Sequence, residues 1–301
     1  MTSRLGAVAI VLGAALFVAA VAKTPRRNDP PRDEALRSEV LPAALEPLRT
    51  LAQPKLPPGE GDWLAEHEEE GQSVAAHAKE STPIPGRVIY VVPTGPFSPE
   101  ADALLAKLEP LLAAHFQLPV RRLPAIDAAR AGASARENSF GTQWLTLDVL
   151  EVLKEVRPAD AAAVMAVTVV DLYPDPSWNF VFGQASYEER VGVTSIARLG
   201  DLATEPTRVL ERSYATSMHE LGHMLLQQHC IAWECPMNGS NNQEEADGRP
   251  LEPCPHCLAK LMHTTKLNPR KRFTELRAAF QAAGLERGVK EVDRELSAFE
   301  P

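Results

Sequence analysis

Apolar residues change their spacing along this chain, and the changes mark out elements. Residues 87–93 (Arg-Val-Ile-Tyr-Val-Val-Pro) form a nearly unbroken apolar run and predict a first buried strand. Residues 161–172 form a longer apolar run and predict a central strand, with shorter strands over 120–123, 180–182 and 191–195. Leu104, Leu108, Leu111 and Leu112 share one side of a helix over 101–116. Leu145, Val149, Leu150, Leu153 and Val156 predict a second helix over 142–156. Leu210, Tyr214, Met218, Leu221 and Leu225 are spaced by three and four, the stripe of a helix over 207–225. Further helices are expected over 273–280 and from residue 286 onward. Strands alternating with helices give an α/β domain built on a mixed, mostly parallel sheet.

The pattern changes toward the N-terminus. After Arg4, residues 5–22 are an 18-residue apolar run, expected as a signal peptide or a membrane anchor. Ala20-Val21-Ala22 offers a small-residue cleavage site. Lys23, Arg26 and Arg27 follow and outweigh Arg4, which by the positive-inside rule would hold that side in the cytoplasm. We expect an exported or membrane-anchored protein, periplasmic or extracellular, with a cytoplasm-facing anchor as the alternative. Residues 23–84 carry Pro25, Pro30, Pro31, Pro42, Pro47, Pro54, Pro57 and Pro58 and read as a linker or stalk. Within them, Glu66-His67-Glu68-Glu69-Glu70 reads as a solvated acidic helix, and His67 and His77 have no partner at ligand spacing. The main domain is expected over 85–285, with a C-terminal helix or tail over 286–301. The composition, 45% apolar and 24% charged, is ordinary for a globular chain. A net charge of −9 argues against nucleic acid and anionic membranes as partners. Nothing in the chain fixes its oligomeric state.

The chemistry is concentrated in His219-Glu220-Leu221-Gly222-His223-Met224-Leu225-Leu226-Gln227-Gln228-His229. On a helix, His219 and His223 lie one turn apart on the same face, so one metal ion can take a nitrogen from each. Glu220 adjoins the first ligand, where a carboxylate can hold the metal's water and take its proton. A continuing helix would carry His229 about 9 Å beyond His223 at about 1.5 Å per residue. The helix must therefore break between them. Cys230, Cys235, Cys254 and Cys257 are the only cysteines, in the pattern C-x4-C-x18-C-x2-C. Four thiolates around one zinc would make a closed structural site, and the Cys254-Pro255-His256-Cys257 knuckle suits chelation. Two disulfides, or four unrelated thiols, are the other readings.

The stretch from His219 to Cys257 resembles the archaemetzincins, a branch of the metzincin metalloproteases. Their pattern is H-E-x-x-H-x-x-G-x-x-H-C, then a second Cys, a Met and a C-x-x-C. The segments 171–174, 179–185 and 194–199 are similar to the family as well, and the likeness runs from about Arg87 to about Phe280. The resemblance implies a metzincin-like zinc peptidase domain with an active-site helix and a zinc-stabilised C-terminal part. It implies two zinc ions. His219, His223 and His229 would bind the catalytic one, with Glu220 as general base. Cys230, Cys235, Cys254 and Cys257 would hold the structural one, with Met237 as the Met-turn beneath the ligands. Peptides or proteins would be the substrates, with aminopeptidase-type cleavage known among members.

Two departures stand out. Asp247-Gly248-Arg249 matches only loosely the acidic-basic pair that the family carries before its C-x-x-C. Leu226 stands where the family has Gly. Either Leu226 takes a strained positive φ, or the break shifts to Gln227 or Gln228, or the site is damaged. The alternative function is thus a catalytically impaired zinc-binding domain that binds peptides or a protein partner.

Overall fold

The computed structural model describes residues 32–300, except residues 82, 83, 85 and 131. The chain opens with α1 (Arg32–Arg37), a 3-10 helix (Ala43–Leu51), α2 (Trp63–Glu66) and α3 (Val74–Glu80). It continues through β1 (Val88–Thr94), α4 (Pro99–Phe116), β2 (Val120–Arg122), β3 (Ala135–Asn138), β4 (Gly141–Leu145), α5 (Thr146–Val156) and β5 (Ala161–Thr168). Then come β6 (Asp171–Tyr173), β7 (Gly183–Ala185), β8 (Val191–Ser195) and α6 (Pro206–Met224). The last elements are α7 (Gln243–Asp247), α8 (Pro255–Thr265), α9 (Pro269–Ala283) and α10 (Glu286–Ser297).

The main sheet has the order β2-β1-β5-β8-β7. Its first four strands run parallel, and β7 closes the edge antiparallel to β8. β1, β5 and β8 are buried along their whole length, because helices cover both faces of a parallel sheet. Alternate side chains divide between the faces. Ile89, Val91, Ala163 and Met165 join the leucines of α4 and the apolar stripes of α6 and α9. Val88, Tyr90, Val92, Val164 and Ala166 point the other way, against Val149, Leu150 and Leu153 of α5. The helices start where local chemistry supplies partners for free N–H groups. Ser98 accepts from Ala101 at the start of α4, and Asn268 accepts from Lys271 at the start of α9. Pro206 sits at the first turn of α6, where its missing N–H costs nothing.

A buried polar cluster ties three helices together. The Arg272 guanidinium donates to Glu252 at 2.6 Å, to the His115 carbonyl at 2.8 Å and to His115 Nδ1 at 3.0 Å. The Tyr214 hydroxyl lies 2.7 Å from the same Nδ1. α4, α6 and α9 are thereby held in one register, and burial with the Arg272 charge keeps His115 neutral.

The sequence expectations need four corrections. The helix expected over 142–156 begins only at Thr146, because β4 pairs antiparallel with β3 and parallel with β6 in a separate three-stranded sheet. The strand expected over 161–172 ends at Thr168, whose hydroxyl accepts from Val170 N–H at 3.1 Å. The chain then bends, and β6 joins the second sheet. Residues 180–182 make one isolated bridge, Leu172 to Val181, and the strand lies at β7 instead. α8 was not anticipated, since its N-terminus coincides with the cysteine knuckle.

The fourth correction concerns the expected linker. Leu41, Leu45 and Leu48 belong to the main hydrophobic core, and the 3-10 helix and α3 pack on α8. Pro54 bridges to Trp233, and Lys55 pairs with Glu234 at 3.2 Å. The prolines of 42–58 shape a strap laid across the domain. A chain rich in proline loses little entropy when it is ordered, and can be pinned as readily as left free. The apolar run over 5–22 lies outside the described residues. Among the described residues no helix is long and apolar enough to cross a membrane.

A packed strap and a free linker respond differently to truncation of a side chain. Leu45→Ala should lower stability in urea denaturation by about 2–5 kcal/mol. A polar substitution at Val40, which is 87% exposed, should change it by less than about 0.5 kcal/mol. Equal, negligible effects would mean that the strap is not part of the folded unit.

Candidate active site

α6 carries His219, Glu220 and His223, and it stops one residue after His223. Leu226 N–H donates to the His223 carbonyl at 2.8 Å, and Gln227 N–H donates to the Gly222 carbonyl at 3.0 Å. This pair of bonds is the Schellman stop, whose reversing residue needs a left-handed backbone. That residue is Leu226, with φ of 67°. The break therefore falls where the family pattern has glycine, and a leucine fills it. The strap clamps the turn from outside. Gln72 Nε2 donates to the Leu226 carbonyl at 3.0 Å, and Gln72 Oε1 accepts from Gln228 N–H at 3.2 Å. His77 Nε2 donates to the Leu225 carbonyl at 3.1 Å. The polar groups freed by the break are thus taken up by the segment expected to be a linker.

The reversal returns His229 to the other two imidazoles. One ring nitrogen from each of His219, His223 and His229 lies within 4.8 Å of the others. The opposite nitrogen of each ring is engaged. His219 Nδ1 donates to the Pro236 carbonyl at 2.8 Å and His223 Nδ1 to the Gln227 carbonyl at 2.6 Å. His229 Nδ1 donates to Glu69 Oε1 at 2.6 Å. Acceptors on all three Nδ1 atoms fix the protons there and leave the Nε2 lone pairs facing inward. His219 Nε2 and His223 Nε2 are 3.0 Å apart, and His229 Nε2 is buried without a partner among the described residues. Converging lone pairs repel one another unless a cation sits among them. Burial and mutual repulsion also keep the two helical rings neutral: His223 is pushed down to about 3, and His219 lies well below its ordinary value. Neutral imidazole is the form that binds zinc, so the donor set fits.

Glu220 is 5% exposed, and its Oε2 has no partner among the described residues. Burial pushes its carboxyl up to about 8. It occupies space left by Gly183, where an added Cβ would come within 2.7 Å of Glu220 Cγ. Asp171 and Arg198, from two of the segments singled out in the sequence, pair at 2.7 Å. Arg198 in turn lies 3.9 Å over the Phe180 ring, which lines the cleft.

The four cysteines form a second cluster, fully buried, with one sulfur of each within 4.8 Å of the others. Cys230 Sγ and Cys254 Sγ are 3.9 Å apart, far beyond a disulfide bond of about 2.05 Å. Four sulfurs about 2.3 Å from one zinc would lie about 3.8 Å from each other. Backbone N–H groups of Cys254 and Cys257 point at Cys235 Sγ and Cys254 Sγ, at 3.4 and 3.5 Å, and so stabilise thiolates. The loop between the clusters serves both. Cys235 belongs to the sulfur cluster, the Pro236 carbonyl orients His219, and Met237 packs on Gly222, where a Cβ would lie 2.5 Å from Met237 Sδ. Asn238 braces this loop through Cys235 N–H at 2.9 Å and the Trp233 carbonyl at 2.9 Å.

The cleft beside the imidazoles has an aromatic wall of Trp63, Trp178, Phe180 and Phe182, and it also includes Arg249. Sequence reasoning missed Glu69, Trp63 and Gln72. Glu69 stands within the acidic run expected to be solvated, yet it accepts from His229 and from Trp63 Nε1 at 2.9 Å. Nothing local distinguishes it from Glu68 or Glu70, because its partner lies 160 residues away.

A model of peptidase family M54 matches residues 102–263. Archaemetzincin-2 of Rattus norvegicus is 31% identical over 282 residues, covering 81% of this chain and 79% of that protein. The human Archaemetzincin-2 is 33% identical over 272 residues, covering 77% and 76% respectively. The crystal structure of an archaemetzincin from Methanopyrus kandleri superposes with a TM-score of 0.51 at 28% identity, covering 60% of this chain and 97% of that one. Fold and site together define a zinc metallopeptidase. Within that class the chain belongs to peptidase family M54, the archaemetzincins. The matched model begins inside α4, so the strap with Glu69 and Gln72 lies outside it.

Leu226→Gly should raise stability by about 1 kcal/mol, because glycine takes a left-handed backbone without the Cβ clash. Thermal or urea unfolding measures it. A loss of stability would show that packing of the leucine outweighs its backbone strain.

Proposed function

We propose that this chain hydrolyses peptide bonds, with His219, His223 and His229 holding a catalytic zinc and Glu220 acting as general base. The observation that carries the reading is the set of three tied Nδ1 atoms, which leaves three Nε2 lone pairs aimed at one point beside a buried carboxylate. Zinc held there would act as a Lewis acid toward the scissile carbonyl and toward water. Glu220, set one residue from the first ligand and walled by Gly183, takes a proton from water and passes it to the departing amine. A raised carboxyl pKa suits both halves of that transfer, and a cation nearby would draw it back toward neutrality. The aromatic wall excludes water and receives an apolar side chain.

Cys230, Cys235, Cys254 and Cys257 hold a second, structural zinc in this reading, and Met237 is the methionine beneath the ligands. The impaired-site alternative loses its main support, since the left-handed Leu226 still delivers His229 to the other imidazoles. Aminopeptidase cleavage would need a carboxylate free to receive the substrate's amine. Two acids of the cleft, Glu211 and Asp247, are paired with Arg287 and Arg212. Recognition of the amino end therefore has little to rest on, and we favour cleavage directed by other features of the peptide.

Metal analysis should return two zinc ions per chain, and a mild chelator should remove one and abolish turnover without unfolding. Glu220→Gln should lower kcat by about 10²–10⁴-fold with both metals retained. Cys254→Ser should lower thermal stability markedly, because structural zinc contributes folding free energy directly. Loss of the same metal in both variants would contradict this division of roles. Glu69→Ala should weaken zinc at the histidine site about 10–100-fold in chelator competition, with Glu69→Asp recovering part of it. Unchanged affinity would reduce Glu69 to a packing residue.

A further inference from the structure

Arg212, Arg249 and Arg287 all line the cleft, and two of the three are neutralised. Arg212 donates to Asp247 at 2.9 Å. Arg287 pairs with Glu211 and with Glu291, each at 3.1 Å. Arg249 has no ion pair or side-chain hydrogen bond with any described residue, and its Nε and Nη2 are sealed from solvent without a partner. Three acidic groups act on it at a distance: Cys235, which belongs to the sulfur cluster, and two carboxylates that are committed elsewhere. Glu245 accepts from Trp63 N–H at 3.1 Å and Asn241 N–H at 2.8 Å, and Glu234 is held by Lys55 at 3.2 Å. Burial pulls the Arg249 guanidinium down only to about 10, so it stays charged at neutral pH. Arg249 is only partly exposed and lines the same cleft as His219 and Glu220, and two charged, sealed nitrogens with no acceptor are costly to the folded state.

We propose that Arg249 recognises a carboxylate of the peptide substrate, so that the cleft selects peptides presenting an anion close to the scissile bond. A substrate carboxylate would accept a charge-assisted hydrogen bond where the guanidinium faces the cleft, and would offset the charge that the two sealed nitrogens share. Trp63, Trp178, Phe180 and Phe182 supply the apolar surface for the neighbouring side chain. Such a substrate carries either a free C-terminal carboxylate or an acidic side chain. This inference rests on the peptidase reading but concerns binding, and it can be tested without turnover.

The test uses the full zinc-loaded chain with Glu220→Gln, which prevents cleavage, and isothermal titration. The probes are an acetylated Ala-Phe-Leu-Ala peptide as free acid, the same peptide as amide, and the amide with glutamate in the last position. The free acid or the glutamate amide should bind at least about tenfold more tightly than the plain amide. Whichever does so identifies the source of the carboxylate. Adding Arg249→Gln should collapse the difference, with Arg249→Lys restoring it only in part. Equal binding of all three peptides to the Glu220→Gln protein would overturn the proposal, and needs no change at Arg249. A preference that persists in Arg249→Gln would also overturn it, placing the carboxylate on the metal. If Arg249→Gln loses the cysteine-bound zinc and unfolds, Arg249 serves as counter-charge to the thiolates, and the proposal falls. A carboxylate preference in a protein that cleaves no peptide would leave this inference standing and remove the peptidase reading.

Discussion

A single α-helix cannot bring His219, His223 and His229 to one point, and the rest of the structure answers that constraint. At about 1.5 Å per residue, the third imidazole would be carried about 9 Å past the second. α6 must end within a residue or two of His223, and its freed carbonyls must find donors. The Schellman bonds to Gly222 and His223 satisfy two of them, and Gln72 and His77 satisfy two more. Leu226 carries the backbone strain of the reversal. Such strain persists only where the surroundings over-determine it, and here the strap does so from outside the helix.

The second consequence is that the histidine and cysteine clusters are one mechanical unit. After the reversal the chain passes from His229 directly to Cys230, then through Cys235, Pro236 and Met237 beneath α6. The Pro236 carbonyl sets the His219 ring, while Met237 fills the notch at Gly222 between the two helical histidines. Cys230 N–H donates to the Met237 carbonyl at 2.9 Å, closing the loop on itself. A sulfur cluster that fixes this loop therefore fixes two of the three imidazoles. That gives a physical reason for a buried sulfur cluster directly beside the three imidazoles.

Burial does the remaining electrostatic work. The same desolvation that keeps His219 and His223 neutral raises Glu220, so imidazoles and carboxyl are tuned by one cause. Packing against the strap covers the third imidazole. Trp63 lies edge-on to His229, with ring centroids 5.2 Å apart, and Glu69 holds the other side of the same ring. The strap thus extends the site with a shell of contacts drawn from residues that the family model does not include.

Periodicity and ligand spacing determined a great deal by themselves. The alternation of strands with helices, the apolar stripe of α6, the histidines one turn apart and the cysteine knuckle are local patterns, and local patterns survive without tertiary context. The strand β8 was legible to the residue for the same reason. Only the tertiary structure decided the rest. A continuous apolar run over 161–172 cannot say that the chain changes sheets at Thr168, because both halves are equally buried. A proline-rich strap cannot say whether it is free or pinned, because its anchors lie on the far side of the sequence. Glu69 looks like its neighbours until His229, 160 residues later, folds back to meet it. Arg249 looks like any other surface charge until the fold seals two of its nitrogens from water. The sequence encodes what each segment prefers, while long-range packing decides which polar groups end up facing one another.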